Sequence, residues 1–448
     1  MLAQPTKSTE ATWTKLGQQE LNRILLEHER FLAGQNNGRR ALLRFCDLSG
    51  LDLRHRNLAQ ADLTGALLKQ ASLIEANLNG ANLFGADLRV ANLTRADLSR
   101  ADLRGACLRG ADLTEAKMID ADMRQASLAR YSTKNGMQTM QMEHTSAELS
   151  AIVARRADLT GAKMSDAMLL NADLTDANLR NTDLRNADLR NSILVGTLLE
   201  GADLTNSNFG SSTLTGAVFV KVKLAGATFE KADLRGTVMD AEARAHEGLR
   251  NGAGLPVSVS NDKIGAMLMQ HAKWVTTSGA EGTRADFTDK DLSGRSLRTA
   301  NLAAAILERA VLQGINLTQA ELAMAVLSYA DLTAADLYRA DLRGANLYRA
   351  SLMEANLSAA NLGPVKLGSG AASHSYPVNL EGAKLTRANL ATAVLREARL
   401  SHADLSGANL RDADLRGADL SHCNLKDANL SGADLTNAKL DSVRGYSP

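Results

Sequence analysis

Aspartate is the residue type best placed for acid–base chemistry in this chain, and it recurs so regularly that its spacing loses meaning. Ala61-Asp62-Leu63-Thr64-Gly65 is echoed at Ala86-Asp87-Leu88, Ala96-Asp97-Leu98 and Ala101-Asp102-Leu103, with Asn replacing Asp at Ala81-Asn82-Leu83 and Ala91-Asn92-Leu93. A pair of carboxylates at a glycosidase-like separation therefore arises from repetition alone. His28 and His271 are the other groups with a chemical option. Each lies on an apolar stripe with no nucleophile or carboxylate cluster nearby, so each reads as a packing residue rather than a catalyst or ligand. His402 and His422 are 20 residues apart with Cys423 beside the second, but a metal site needs further well-aimed ligands. Lys69, Arg89 and Arg109, also at intervals of 20, form a basic ladder that could contact a small anion. Arg180, Arg185 and Arg190 follow at intervals of five, around a coil rather than along it. No phosphate loop, nucleophile elbow or HExxH motif is present. These patterns predict no catalytic residue, no metal site and no cofactor.

What positions these groups is a period of five: Ala, then Asp or Asn, then Leu, then two variable residues. Taking Leu as the centre of each unit, centres run in register from Leu48 to Leu128, Leu159 to Met239, Phe287 to Leu367 and Leu380 to Leu440, 64 units in all. Five matches neither the helical period of 3.6 nor the strand period of 2. It fits a chain that turns a corner every five residues, with the centre and the Ala two before it facing inward. Four sides close a coil of about 20 residues, and coils stack at roughly 4.8 Å through parallel backbone hydrogen bonds. Leu63, Leu83, Leu103, Leu174, Leu204, Leu332, Leu347, Leu410 and Leu430 are expected core centres. Cys46 and Cys423 fall in inward Ala slots, whereas Cys107 points outward and is the more modifiable thiol. Tyr338 and Tyr348 point outward on opposite sides.

Composition agrees with a narrow interior. Aromatics are only 3% of 448 residues, too few for an ordinary core of this length. Charge is balanced at 51 basic against 50 acidic residues, with 29 of each before Ala243, which excludes a strongly basic nucleic-acid binder and a strongly acidic decoy. Three cysteines at wide spacing make neither a disulfide framework nor a zinc pattern, so a reducing compartment is expected. No apolar run reaches the ~18–20 residues of a membrane span, and MLAQPTKSTEATWTK lacks a signal core.

Breaks in register are expected at 129–156, 241–286 and 368–379. The first carries Met137, Met140 and Met142 and predicts a short helix after Ser146, a good N-cap. The second contains Met269-Gln270-His271-Ala272-Lys273-Trp274-Val275, which aligns with Leu26-Glu27-His28-Glu29-Arg30-Phe31-Leu32. Arg284-Ala285 then aligns with Arg40-Ala41, and Asp291-Leu292-Ser293-Gly294 with Asp47-Leu48-Ser49-Gly50. The chain reads as an internal duplication, each half opening with an amphipathic helix. Trp13, Leu16, Leu21, Ile24, Leu25, His28 and Phe31 make one apolar stripe, and Ile264, Met267, Leu268, His271 and Trp274 the other. Stacked coils expose apolar ends and need caps, and Leu25, His28, Phe31, Leu268, His271 and Trp274 are the expected cap contacts. The predicted organisation is a cap segment over 1–42, a first repeat region over 43–241 interrupted at 129–156, and a linker with a second cap over 242–284. A second repeat region over 285–442 follows, interrupted at 368–379, and then a tail over 443–448.

The Ala-Asp/Asn-Leu pentads resemble the pentapeptide-repeat family over about 70% of the chain. The resemblance implies an all-β right-handed quadrilateral parallel β-helix, here tandemly duplicated with short α-helical caps and insertions. It also implies a bacterial, cytoplasmic, non-enzymatic protein that binds a protein partner rather than nucleic acid or membrane, with open ends that permit a homodimer. Some relatives mimic DNA, bind DNA gyrase and protect it from quinolones, and others are effectors secreted into host cells. The balanced charge of this chain departs from the acidic surface of the mimics, and no lipidation motif or basic amphipathic anchor supports membrane attachment. A protein-interaction scaffold is the expected function.

Overall fold

The structure is a computed structural model describing residues 13–126, 129–132, 136–139, 147–252, 254–367 and 374–446. The chain divides into two compact units. The first comprises Met1–Thr213, Val218–Ala232 and Asp240–Gly252, and the second Leu214–Ala217, Asp233–Met239 and Ala253–Pro448.

Within each unit the repeat dictates the backbone. Parallel bridges join residues 20 apart, Asp62 to Asn82 to Asp102 to Asp122 on one side, and Asn57 to Asn77 to Asp97 to Lys117 on the next. Successive bridge positions fall five residues apart, so four sides complete each 20-residue coil. Between sides the chain turns. The Ala61 N–H donates to the Leu58 carbonyl at 3.0 Å, and Gln60 between them has φ of 60°. A left-handed residue at the third turn position is the signature of a type II turn, and it recurs at most corners, filled by Gly85 and Gly105 but also by Arg95, Asn186 and Val90. The inward residues are sealed: Leu63, Leu83, Leu103, Leu174, Leu204, Leu332, Leu347 and Leu410 and the intervening alanines are fully buried. Where Ser or Thr takes an Ala slot, its hydroxyl finds a carbonyl, as Thr182 does with Leu179 at 2.6 Å and Ser207 with Leu204 at 2.6 Å, which removes the cost of a buried unpaired hydroxyl. Near the end of the first unit Phe209, Phe219 and Phe229 replace Leu, and Phe209 stacks on Phe229 at 4.9 Å.

The register departs from the sequence expectation at four points. Coils begin one unit earlier, because Leu43 is fully buried and Leu42 bridges to Asp62. They also resume inside the first expected break: Glu148 bridges to Cys107 and Val153 to Asp112, with Leu149 and Ala154 buried as centres. No helix follows Ser146, because Ala147–Leu149 is already a side of a coil. Finally Leu367 is not a centre, since Val365–Leu367 turns out into an antiparallel hairpin with His374–Tyr376. A similar hairpin pairs Ala129–Ser132 with Gly136–Thr139. Leu128, Met140 and Met142 lie outside the described residues.

Both lead segments cap a first coil. In the first unit Thr14–Lys15 pairs in parallel with Cys46–Asp47, and helix α1 follows at Gln18–Leu32. Trp13 and Leu16 precede the helix rather than belonging to it; the Trp13 indole donates to the Gly65 carbonyl at 2.8 Å. The short helix α2 spans Ala241–Ala245, N-capped by Asp240. In the second unit Val257–Ser258 pairs in parallel with Lys290–Asp291, and helix α3 covers Asn261–Thr276. Leu430, an expected core centre, is only partly buried, as are Leu435 and Leu440, because they line the last coil. No described helix is long and apolar enough to cross a membrane.

Candidate functional site

The variable residues of every pentad point outward, so any function beyond support resides on those faces or at the caps. On the faces, the Asp or Asn before each centre folds back locally. Its Oδ1 accepts the N–H two residues on, as in Asn77 to Asn79 at 3.0 Å and Asp97 to Ser99 at 2.9 Å, the Asx geometry that favours turns. Where that later residue is Arg, the same carboxylate also takes its guanidinium through two nitrogens. Arg89 reaches Asp87 at 2.9 and 2.7 Å, Arg104 reaches Asp102 at 2.8 and 2.7 Å, and Arg185 reaches Asp183 at 2.8 Å from both nitrogens. Burial pushes the Asp87 carboxyl up, but Arg89 and the Arg89 N–H outweigh it and hold the group below its ordinary value. The Asp183 carboxyl is likewise held down by Arg185. Acid and base cancel within one repeat, and balanced composition becomes locally balanced faces.

Neighbouring coils add vertical ladders. Along one corner of the first unit His55, Glu75, Arg95, Glu115 and Arg156 alternate, joined at 3.1, 3.2, 3.0 and 3.4 Å. In the second unit Asp336, Asn356, Asn389, Asn409 and Asn429 pass an amide chain at 2.9, 3.3, 3.0 and 3.4 Å.

The proposed basic ladder is mostly neutralised: Lys69 and Arg89 share Asp87, at 3.3 and 2.7 Å. Arg109 is exposed, and Cys107 stands where an Asp would serve it. Arg185 and Arg190 pair with Asp183 and Asp188, and Arg180 with Glu200. His402 and His422 stack at 4.7 Å and 9°. Among the described residues no group of three His, Cys, Asp or Glu could hold a metal ion. Cys423 is buried, donates to the Leu400 carbonyl, and its thiol is pushed up to about 12 by desolvation. Cys107 is only half-buried, but desolvation raises its thiol too, so it is less reactive than its outward slot suggests. Tyr338 and Tyr348 lie on different sides, each beneath its neighbouring arginine, Arg339 and Arg349.

The caps hold two fully buried histidines. His28 is fully buried on α1. Its Nδ1 accepts the Ala41 N–H at 3.1 Å, and its Nε2 lies 3.0 Å from the Ala59 carbonyl. An acceptor role for Nδ1 and a donor role for Nε2 define one neutral tautomer. His271, also fully buried, accepts the Ala285 N–H at 3.1 Å in the same way. Its Nε2 faces the Ala303 carbonyl without a well-formed hydrogen bond. Phe31 stacks on His28 at 6.0 Å and Trp274 on His271 at 5.6 Å. Leu25 is buried under α1 and Leu268 partly so under α3, whereas Phe31 keeps 38% of its surface exposed. The cap strands and the histidine tautomer have no counterpart in the sequence reading: two-residue strands carry no period, and a tautomer depends on partners up to 31 residues away.

A sequence model described as Pentapeptide repeats (8 copies) matches residues 57–89, 91–129, overlapping segments from 145 to 240, 296–363 in two segments, 378–412 and 408–444. The chain belongs to the pentapeptide-repeat family. This pentapeptide-repeat protein is similar to several solved structures. One is a trypsin-treated variant of QnrB1, a plasmid-mediated fluoroquinolone resistance protein, at 18% identity over 63% of this chain and 89% of that one, with a TM-score of 0.26. HetL, a pentapeptide-repeat protein involved in heterocyst differentiation regulation in Nostoc sp. strain PCC 7120, is 24% identical over 84% of this chain and 89% of its own, with a TM-score of 0.16. Rfr23 from Cyanothece 51142 is 24% identical over 28% of this chain and 91% of its own, with a TM-score of 0.14. At these scores neither superposition nor role transfers. No curated protein sequence matches the chain.

Proposed function

We propose that this pentapeptide-repeat protein is a non-enzymatic protein-interaction scaffold built from two right-handed quadrilateral β-helices that arose by tandem duplication. The repeat regions are assigned to 43–241 and 285–442, with caps over 1–42 and 242–284. The observation that carries the reading is the filled interior. The inward slots of the inner coils are occupied by packed Leu, Ala and other mainly apolar residues, Phe209, Phe219 and Phe229 among them, at low exposure, whereas a substrate site needs a concave pocket with convergent polar groups. Most sequence variation is displayed outward, on faces where many charges are paired, as Arg89 with Asp87 and Arg185 with Asp183. Such faces recruit partners by shape and by local contacts rather than by a long-range field. The same self-pairing weighs against mimicry of DNA, which requires unpaired acid along a face. The half-buried apolar residues of the last coil would be covered by a second copy.

The test is capture from a bacterial lysate with the full chain and with variants altered on one face at a time, such as the triple change Lys69→Glu, Arg89→Glu and Arg109→Glu. A partner lost with one face variant and retained by the others supports a scaffold. Inhibition or protection of purified gyrase in a supercoiling assay overturns the scaffold reading in favour of DNA mimicry. Partner recovery indifferent to every face, cap and hairpin change refutes a surface-directed scaffold.

A further inference from the structure

We infer that His28 and His271 are pH-sensitive latches: each cap helix stays on its first coil only while its imidazole is neutral, and mild acidification releases both. The duplicated geometry carries this. In each unit a fully buried Nδ1 accepts a backbone N–H from the segment entering the first coil, Ala41 in one and Ala285 in the other, both at 3.1 Å. A protonated ring carries N–H at both nitrogens. It would set a donor against the Ala41 or Ala285 donor in a buried site, losing the hydrogen bond and leaving two unsatisfied groups. Neighbouring charge is sparse. Arg40 opposes a positive His28 and Glu29 favours one, while Arg284 opposes a positive His271. Neither arginine can stand in for the lost acceptor, because a guanidinium only donates; Arg40 and Arg284 donate to the Gln60 and Ala304 carbonyls. Desolvation lowers the pKa of both rings below the ordinary 6.5, against the backbone carbonyls that raise it.

The direction follows from linkage. A base whose docked pKa is depressed binds fewer protons when docked, so docking is strongest above the free-ring value of 6.5. Below it the docked-to-undocked ratio falls, by up to about tenfold per pH unit, until the docked ring itself takes a proton. The second cap yields first. His271 makes one well-formed hydrogen bond where His28 makes two, and α3 buries Ile264 and His271 where α1 buries Leu21, Leu25 and His28. Release uncovers the apolar face of the helix and the first coil beneath it.

Hydrogen exchange of the full chain, read by mass spectrometry on peptides covering 18–32 and 261–276 between pH 7.5 and 5 and corrected for intrinsic rates, tests this. Protection of both helices should fall below pH 6.5, by no more than about tenfold per unit, α3 ahead of α1. Asn places an amide oxygen near the Nδ1 position and does not protonate. His28→Asn should therefore remove the pH dependence of α1 while α3 in the same molecule keeps its own, and His271→Asn the reverse. Protection indifferent to pH in the unaltered chain, or a pH dependence that survives the matching substitution, overturns the inference. If an Asn variant leaves its helix unprotected at every pH, nitrogen-15 spectra of the unaltered imidazoles decide. Both rings should be protonated at Nε2 alone at pH 7 and titrate below 6.5 in step with loss of protection. A ring that titrates at 6.5 while protection persists refutes the latch.

Discussion

Replacing Leu83 with Ala tests whether the packed interior is what holds the coils together. Leu83 is fully buried: the centres Leu63 and Leu103 lie one coil away on either side, and its N–H reaches the Asp102 carbonyl at 2.8 Å. Truncation removes three carbons' worth of buried surface, about 2.5 kcal/mol at ~0.8 kcal/mol per methylene. The backbone ladder above and below prevents collapse into the gap, so a cavity term adds, and the total is about 3–4 kcal/mol. Leu430→Ala is the matched control. It occupies the same kind of slot but is only partly buried in the last coils, and should cost about 1 kcal/mol. Urea unfolding followed by far-ultraviolet circular dichroism gives the two midpoints. Coupling between stacked repeats is nearest-neighbour, so Leu83→Ala should also broaden the transition by separating the coils on its two sides. Equal costs for the two substitutions would refute the argument that stacking from both sides, rather than the local pentad, stabilises a centre.

Val90 is a β-branched residue at φ of 58°, so Val90→Gly should stabilise the fold, seen as a raised urea midpoint, by about 0.5–1 kcal/mol, the relief of left-handed strain less the entropy lost by glycine. Cys423, with its thiol pushed up to about 12, should resist a thiol-specific reagent at pH 8 in the folded chain and react only on unfolding, whereas Cys107 should react slowly in the native state. Arg185→Ala breaks a largely exposed pair with Asp183 and should lower the urea midpoint only slightly, by less than about 1 kcal/mol. Acid should act in two stages. The caps loosen below pH 6.5, and the carboxyls of Asp87 and Asp183, held below 3.8 in the folded state, contribute stability that is present above 3.8 and lost as pH falls below it. A circular-dichroism titration showing one cooperative step at pH 6 would contradict that order.

The pentad period alone marks which residues face inward, because five residues per side leave one large and one small inward slot and turn the other three positions outward. It therefore identifies the leucine centres, the alanine slots and the need for caps, and the match between Leu26–Leu32 and Met269–Val275 exposes the second cap. It fails where side-chain volume is traded between slots. At Ile152 and Ala154 the large residue takes the small slot and the small one the centre, both buried, and the unit is invisible to a pattern that expects Leu. It fails again at Leu367, whose identity suits a centre but whose backbone pairs with His374 instead. A composition with as many acids as bases cannot say whether they meet. Only the folded corner, with Asp Oδ1 on the N–H two residues on, brings arginines such as Arg89, Arg104 and Arg185 onto the carboxylates of their own repeats. Nor can it assign a proton to His28. That choice belongs to Ala41 and Ala59, distant in sequence and adjacent only after the helix has closed the first coil. Periodicity is a local property of the chain, whereas ion pairing, tautomer and burial depend on which atoms the completed coils bring within hydrogen-bonding distance.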